Sequence, residues 1–477
     1  MMGSPTRREV LQGFAALGMG TLVDCGRERT QAGTLRPPNM VVIVTDDMAW
    51  RAWGGGGAYP FFATPNIDRI AAEGASFANT FCTTALCSPS RASLLTGCYA
   101  NRHGVTRNEV NDPDPTLSTY PQLLQAAGYE TAFIGKWHMR PDNLPRPGFD
   151  YWNAFSGQGV YRNPTLNENG QETTVQGYTT DVLTDFAVAW LEKPRTAPFC
   201  MILSHKAPHE PFVPASGHAD AFSDAEIPKP ANFDDDYAGK PRWLRRATLW
   251  GEDAASWAAS EGRAVPDTLP PATWDARDPT KLNYLRTILS VDDSAGRVLS
   301  ALEEIGQLDD TLVVLTSDNG FMLGAHRRED KRLMYEESIR VPLLLRFPPL
   351  VDPGTIISAT ALTIDLAPTL LDLAGAAIPD VMQGASWLPL LSGDASAWRP
   401  AFLYEYFPEP WLPGIPRIQG VRTPDWKLMR YPEIADDVDE LYDLTSDSLE
   451  LNNLITDPAY ADILAELTTL LDRLKPA

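Results

Sequence analysis

The chain of 477 residues is short of basic side chains: Lys and Arg total 40 against 62 Asp and Glu, a formal net charge of −22. That sign opposes broad electrostatic attraction to nucleic acid or to an anionic membrane, so an anionic substrate would need a local basic pocket. Cysteine is also scarce. The five, at 25, 82, 87, 98 and 200, are too few and too odd in number for a disulfide scaffold, and no pair has zinc-ligand spacing. No apolar run is long enough to span a bilayer, and there is neither a low-complexity tract that would argue for disorder nor an internal repeat. What remains, 44% hydrophobic and 21% charged, is the composition of a soluble globular protein with room for one large domain and one smaller one.

Residues 1–35 read as an export signal and linker. Ser4-Pro5-Thr6-Arg7-Arg8-Glu9-Val10-Leu11, followed by a modestly apolar Gly/Ala-rich run to Val23, is similar to a twin-arginine signal. Cys25 follows Leu22-Val23-Asp24, a poor lipoprotein box because Asp stands where a small residue is wanted, so simple cleavage nearby is expected over lipidation.

Beyond the signal, residues 36–392 read as a catalytic domain. The continuous apolar run Met40–Val44 predicts a strand buried on both faces that ends in Thr45-Asp46-Asp47, and Thr311–Thr316 repeats that pattern before Ser317-Asp318-Asn319-Gly320. Sites in open parallel sheets form at the carboxyl ends of strands, which would bring both acidic clusters to one edge. Thr131–His138 and Phe199–Ser204 predict further strands; helices are predicted from Thr64 to Gly74, from Tyr120 to Ala127 and from Lys281 to Ile305. This alternation predicts an α/β fold: a large mixed, mostly parallel sheet sandwiched by helices. Residues 213–280 form an irregular Pro- and acid-rich insertion, with Trp243, Trp250, Trp257 and Trp274 dispersed through it, expected to wall the site. Residues 393–477 carry short strand signals at 401–406, 420–422 and 426–430 and a last helix at 459–474, hence a smaller C-terminal α+β domain.

Cys87-Ser88-Pro89-Ser90-Arg91-Ala92-Ser93-Leu94-Leu95-Thr96-Gly97 places Cys87 at a helix N-terminus, where backbone N–H groups favour an anion and Arg91 one turn in adds an oxyanion fork. Alone, this suggests an activated thiolate or a buried structural Cys. Asp46, Asp47, Asp318 and Asn319 offer hard oxygen ligands without sulfur or imidazole, which suits Ca²⁺ or Mg²⁺ and disfavours zinc. Either acidic pair alone would pass for an exposed turn; both following buried strands do not. Lys136 and His138, two apart on the predicted strand, are expected to share one face. Gly54–Gly57 lacks the Gly-Lys-Ser/Thr of a phosphate cradle and reads as a flexible loop. His103, His205 and His326 are read either as bordering the pocket or as surface or structural residues, Cys82, Cys98 and Cys200 as buried thiols or including one bridge, and Asp234–Asp236 as a solvated turn.

The Cys-Ser-Pro-Ser-Arg stretch resembles the signature of type I sulfatases, in the alkaline phosphatase superfamily. The resemblance extends over nearly all of the mature chain: 44–47, 64–68, Gly-Lys-Trp-His at 135–138, Ala-Pro-His-Glu-Pro-Phe at 207–212, 317–320, Asp-Lys-Arg-Leu-Met-Tyr-Glu-Glu-Ser at 330–338 and Glu-Leu-Tyr-Asp-Leu at 440–444. It implies that Cys87 is converted to Cα-formylglycine by a formylglycine-generating enzyme before export, and that Asp46, Asp47, residue 87, Asp318 and Asn319 hold the metal, Ca²⁺ in preference to Mg²⁺. It further implies that Arg91, Lys136 and Lys331 contact sulfate. The mechanism it implies has a hydroxyl of the residue 87 hydrate attacking sulfur with Asp318 as base, His209 protonating the leaving oxygen, and His138 assisting return of the aldehyde. The 330–338 and 420–430 segments look most like carbohydrate sulfatases, among them those acting on the 6-sulfate of N-acetylglucosamine. Rival expectations are a phosphonate or phosphate ester hydrolase of the same superfamily and a non-catalytic sulfated-glycan-binding protein. An exported location, periplasmic or extracellular, follows from the signal.

Overall fold

The computed structural model describes residues 37–475; the expected export signal and Cys25 lie outside them. Five strands form the parallel centre of a ten-stranded mixed sheet: Thr311–Ser317, Asn39–Thr45, Phe199–Ser204, Glu130–Lys136 and Tyr151–Phe155, side by side in that order. Leu343–Arg346, Ala75–Phe77 and Thr355–Ile357 extend one side, and the hairpin Thr165–Glu168 and Gln171–Thr174 the other. Register decides where the acids emerge. Thr45 lies opposite Ser317 and Val44 opposite Ser204, so Asp46 and Asp318 leave neighbouring strands together.

Alternation along each central strand feeds two cores. Val41, Ile43, Met201, Leu203, Val313 and Leu315 bury on one face with residues of the helices Pro279–Glu304 and Thr179–Leu191. Met40, Val42, Ile202 and Val314 bury on the other with Tyr120–Ala126 and Leu366–Leu373. Each such aliphatic side chain contributes about 1.5–3 kcal/mol, which fixes the register that the site needs. Gly135 is required where the strands approach: a Cβ there would sit 1.9 Å from the Ser204 carbonyl oxygen.

A separate four-stranded antiparallel sheet comprises Phe402–Tyr406, Ile418–Arg422, Trp426–Arg430 and Glu440–Asp443. The helix Ala461–Leu474 covers one face through Leu467 and Leu471; Tyr404, Tyr406, Met429 and Tyr442 on the other pack with Phe81, Met334 and Tyr335. The insertion is more regular than its sequence suggests. It carries helices Arg242–Trp250 and Ala254–Ala259, hidden by a buried Arg245 that interrupts the apolar stripe and donates to the carbonyls of Tyr237 and Lys240. Cys82, Cys98 and Cys200 are buried free thiols, with no bridge among the described residues. No described helix is long and apolar enough to cross a membrane.

Candidate active site

The carboxyl ends of the five parallel strands deliver Asp318 and Asn319, Asp46 and Asp47, the loop to His209, Lys136, and Gln158 to one edge. The Cys87–Thr96 helix, buried along its whole length, plugs into that edge. Its small residues explain the motif. Ser88 Oγ donates to the His138 carbonyl and Ser90 Oγ to the Asp318 carbonyl, fastening the helix tip to two edge loops. Arg91 then bridges three strands, reaching Asp318 Oδ2 at 2.8 Å, Ser204 Oγ at 2.6 Å and the Lys136 carbonyl at 2.9 Å.

Cys87 Sγ lies 3.5 Å from Asp46 Oδ1 and 3.3 Å from Lys331 Nζ. Lys136 pairs with Asp46, and Lys331 with Asp47. Asp47 Oδ1 also accepts from Asn319 Nδ2 at 2.7 Å, while Asp318 Oδ1 accepts from the backbone N–H groups of Asp47 and Asn319 at 3.1 and 2.8 Å. His209 Nε2 stands 3.5 Å from Asp47 Oδ2, and its Nδ1 is fixed by the Glu210 carbonyl at 2.9 Å. All five expected metal ligands and the expected sulfate contacts therefore converge.

Burial would raise the Asp46 carboxyl, yet Lys136, His209, Arg91 and Lys331 together hold it well below the usual range. Asp318 is pushed up to about 7 by burial and then by Asp46, against the pull of Arg91. Burial also pushes the Cys87 thiol up, more strongly than Lys331 and Lys136 pull it down. The thiol is thus protonated, and the activated-thiolate reading of the helix tip fails: desolvation outweighs the favourable helix terminus.

The donor set fits a hard divalent cation. With its Nδ2 committed to Asp47 and the Gly320 carbonyl, Asn319 leaves a buried Oδ1 without a hydrogen-bond partner. Ligand atoms of Asp46, Asp47, Cys87 and His209 all lie within 4.8 Å of one another. The carboxylates of Asp46, Asp47 and Asp318 face the cations of Arg91, Lys136 and Lys331 in equal number. A site balanced in this way disfavours a lone divalent charge, and a sulfate ester bound beside the cation would offset half of it.

His138 departs from expectation. The strand ends at Lys136, and His138 lies beyond it with φ 63°, so the two do not share a strand face. Its Nε2 meets Glu109 Oε1 at 3.0 Å while its Nδ1 is buried without a partner, and burial lowers its pKa to about 3. Glu109, Gln158 and Ser204 are site residues that sequence reasoning missed. Lys206, also missed, donates to the Glu210 carbonyl at 3.0 Å, the same oxygen that orients His209.

Residues 38–376 match the family model described as Sulfatase, and residues 324–477 the one described as N-sulphoglucosamine sulphohydrolase, C-terminal. The chain belongs to the sulfatase family. The sulfatase is 36% identical to the N-acetylglucosamine-6-O-sulfatase of Bacteroides thetaiotaomicron, over 96% of this chain and 89% of that protein. It is 32% identical to the N-acetylglucosamine-6-sulfatase of Capra hircus, over 88% and 80% of the two chains. Among solved structures, one in complex with its substrate D-glucosamine-2-N,6-O-disulfate superposes with a TM-score of 0.79 at 35% identity, covering 92% of this chain and 97% of the other.

Proposed function

We propose that this sulfatase removes the 6-O-sulfate of N-acetylglucosamine, or of a related sulfated glucosamine, within a sulfated carbohydrate. The observation that carries this is the balanced cluster around Cys87, set in a chain similar over nearly its whole length to N-acetylglucosamine-6-O-sulfatases. Asp46, Asp47, Asp318, Asn319 and residue 87 would hold the cation, Ca²⁺ in preference to Mg²⁺ for its tolerance of a crowded carboxylate set. When bound, the cation withdraws charge from a sulfate oxygen. Oxidised to formylglycine, residue 87 offers a hydrated aldehyde in place of an inert protonated thiol.

Around it the chain's own groups have defined work. Arg91, Lys136 and Lys331 stabilise charge on the transferring sulfuryl group. Asp318, raised to about 7, can take and return a proton near neutral pH. His209, held by the Glu210 carbonyl at Nδ1, presents Nε2 toward the leaving oxygen. His138 would assist as the aldehyde reforms, a role supported by the family resemblance and by an Nδ1 that is buried without a partner. Export through the twin-arginine route would let a formylglycine-generating enzyme act first.

Initial rates on defined sulfated sugars test the reading: the expected result is highest kcat/KM on N-acetylglucosamine-6-sulfate. A preference for phosphate or phosphonate esters overturns it in favour of the rival hydrolase. Intact-peptide mass spectrometry of natively produced protein should show residue 87 about 18 Da lighter than Cys. An unmodified Cys87 with no turnover would leave a glycan-binding protein.

A further inference from the structure

A cleft of about 430 Å³ reaches Asp47, His209 and Lys331, and beside it lies a groove of about 610 Å³ whose wall includes Trp50, Arg51, Lys229, Arg340 and Arg422. Phe321 lines both. Either volume suits a ligand of sugar size.

The groove is basic in a strongly acidic protein. Two guanidinium groups converge on one indole: the Arg340 carbon lies 3.7 Å from the Trp50 ring centre and that of Arg51 at 5.3 Å. Arg422 lies 4.2 Å over Phe81. Their acids are oversubscribed. Glu336 takes Arg422 at 2.9 and 3.1 Å and Lys427 at 2.9 Å, leaving Arg340 a 3.8 Å approach to the same carboxylate. Glu337, the other acid on the wall, accepts from Asn232 at 2.8 Å.

Arg51 has no carboxylate partner among the described residues. It is held instead by backbone carbonyls, Nε donating to Gly56 at 2.9 Å and Nη2 to Gly57 at 3.2 Å. The glycine run that lacks a phosphate-binding motif thus has a use: a Cβ at Gly56 would lie 2.6 Å from the Arg51 carbonyl oxygen, and Gly57 sits at φ 68°. Arg340 Nε is buried with no partner. Burial lowers the Arg340 pKa to about 10, with Glu336 pulling it up and Arg422 and Arg51 repelling it, while its Nη2 donates to the Ala78 carbonyl and to Asn79 Oδ1.

We infer that this groove is a second anion-binding site, in which Arg51 and Arg340 beside Trp50 take a sulfate group of a glycan segment remote from the ester being cleaved. The inference rests on the carbohydrate reading above for the chemistry of its ligand. Guanidinium forks suit sulfate oxygens, and stacking on the Trp50 ring holds both forks on the groove wall. The groove continues past Arg422 and Pro424 to Trp398 and Arg399, so a chain and not a single sugar is the matching occupant.

The test is calorimetric titration of the full-length enzyme with size-defined heparin oligosaccharides, alongside turnover of N-acetylglucosamine-6-sulfate. Arg51→Glu, at an exposed side chain, is expected to weaken oligosaccharide binding about fivefold or more at low salt while leaving kcat/KM on the monosaccharide unchanged. Lys229→Glu, on the same groove, should act in the same direction and serves if Arg51→Glu fails to fold. Unchanged oligosaccharide affinity in both variants, or no binding by the native enzyme, overturns the second site. Weakened binding in an enzyme that desulfates nothing would keep the groove and sink the catalytic reading instead.

Discussion

Lys427 and Lys136 are both fully buried against carboxylates, and they do opposite things. Lys427, where the small sheet meets the large domain, donates to the Met334 carbonyl at 2.8 Å and pairs with Glu336 at 2.9 Å and Glu450 at 2.6 Å. Its ammonium thus faces two carboxylates and a carbonyl, with Glu450 Oε1 left without a hydrogen bond. Lys136 pairs with Asp46 and reaches Gln158, but the cluster it belongs to leaves Asn319 Oδ1 and His138 Nδ1 without partners. Both side chains are 0% exposed, so burial and charge do not distinguish a structural cluster from a reactive one. Position does: the Lys136 cluster lies beneath an open cleft lined by Asp47, His209 and Lys331, where an unpaired buried polar atom, which costs about 1–3 kcal/mol, can be met by a ligand.

The sharpest way to break this contrast is Cys87→Ala. Activity should fall on the order of 10³-fold or more, with the melting temperature nearly unchanged, because the thiol's contacts are long and a second group must be present for turnover. A variant retaining a tenth of the rate would remove residue 87 from the chemistry. Lys427→Met is the mirror image. It strands Glu336 and Glu450, so denaturant unfolding should lose about 3–5 kcal/mol, while kcat of the folded enzyme stays within about twofold. Equal losses of rate and stability in both variants would erase the distinction between the clusters.

How much of this could be read from sequence follows the same division. Asp46, Asp47, Asp318 and Asn319 were legible because each pair terminates a β-branched apolar run, and parallel register carried them to one edge. Arg91 was legible from its spacing to Cys87. Lys331 and His209 were reachable only through family resemblance, since their loops carry no periodic signal. His138 was misread because the period-two pattern appears to run on through it, whereas a positive φ turns it away from the strand. Glu109, Gln158 and Ser204 reach the site across loops and strands without any local pattern. Arg245 hid a helix for a related reason: a buried cation satisfied by carbonyls does not look like core.

A cation titration sharpens the contrast further. Chelated enzyme should regain activity and gain melting temperature with added Ca²⁺, stabilised by about 2.7 kcal/mol at a hundredfold excess over Kd. Asn319→Ala removes the unpartnered oxygen and should raise that Kd about tenfold or more; Lys427→Met should leave it unchanged. Stabilisation by the cation that is equal in the native enzyme and Asn319→Ala would place the ion elsewhere.

The smallest effect concerns two buried histidines outside the catalytic cluster, of which His103 has both ring nitrogens partnered and His205 only Nε2. His103 accepts from the Val105 N–H at 3.1 Å and meets Ser93 Oγ at 3.0 Å, and burial lowers its pKa to about 3. Burial lowers His205, which meets Ser294 Oγ at 3.1 Å, to about 3 as well. Unfolded, each would take up a proton near pH 6.5, so the unfolded chain binds more protons than the native one below that point. The stability they support is whole above about pH 6.5 and drains away as pH falls toward 3, by about 1.4 kcal/mol per pH unit for each ring. His103→Gln should therefore flatten the acid limb of unfolding free energy against pH by one proton, at a cost of about 1 kcal/mol near neutrality. An unaltered slope would mean that His103 takes its proton inside the fold, and that matched hydrogen bonds are not what keeps a buried group inert here.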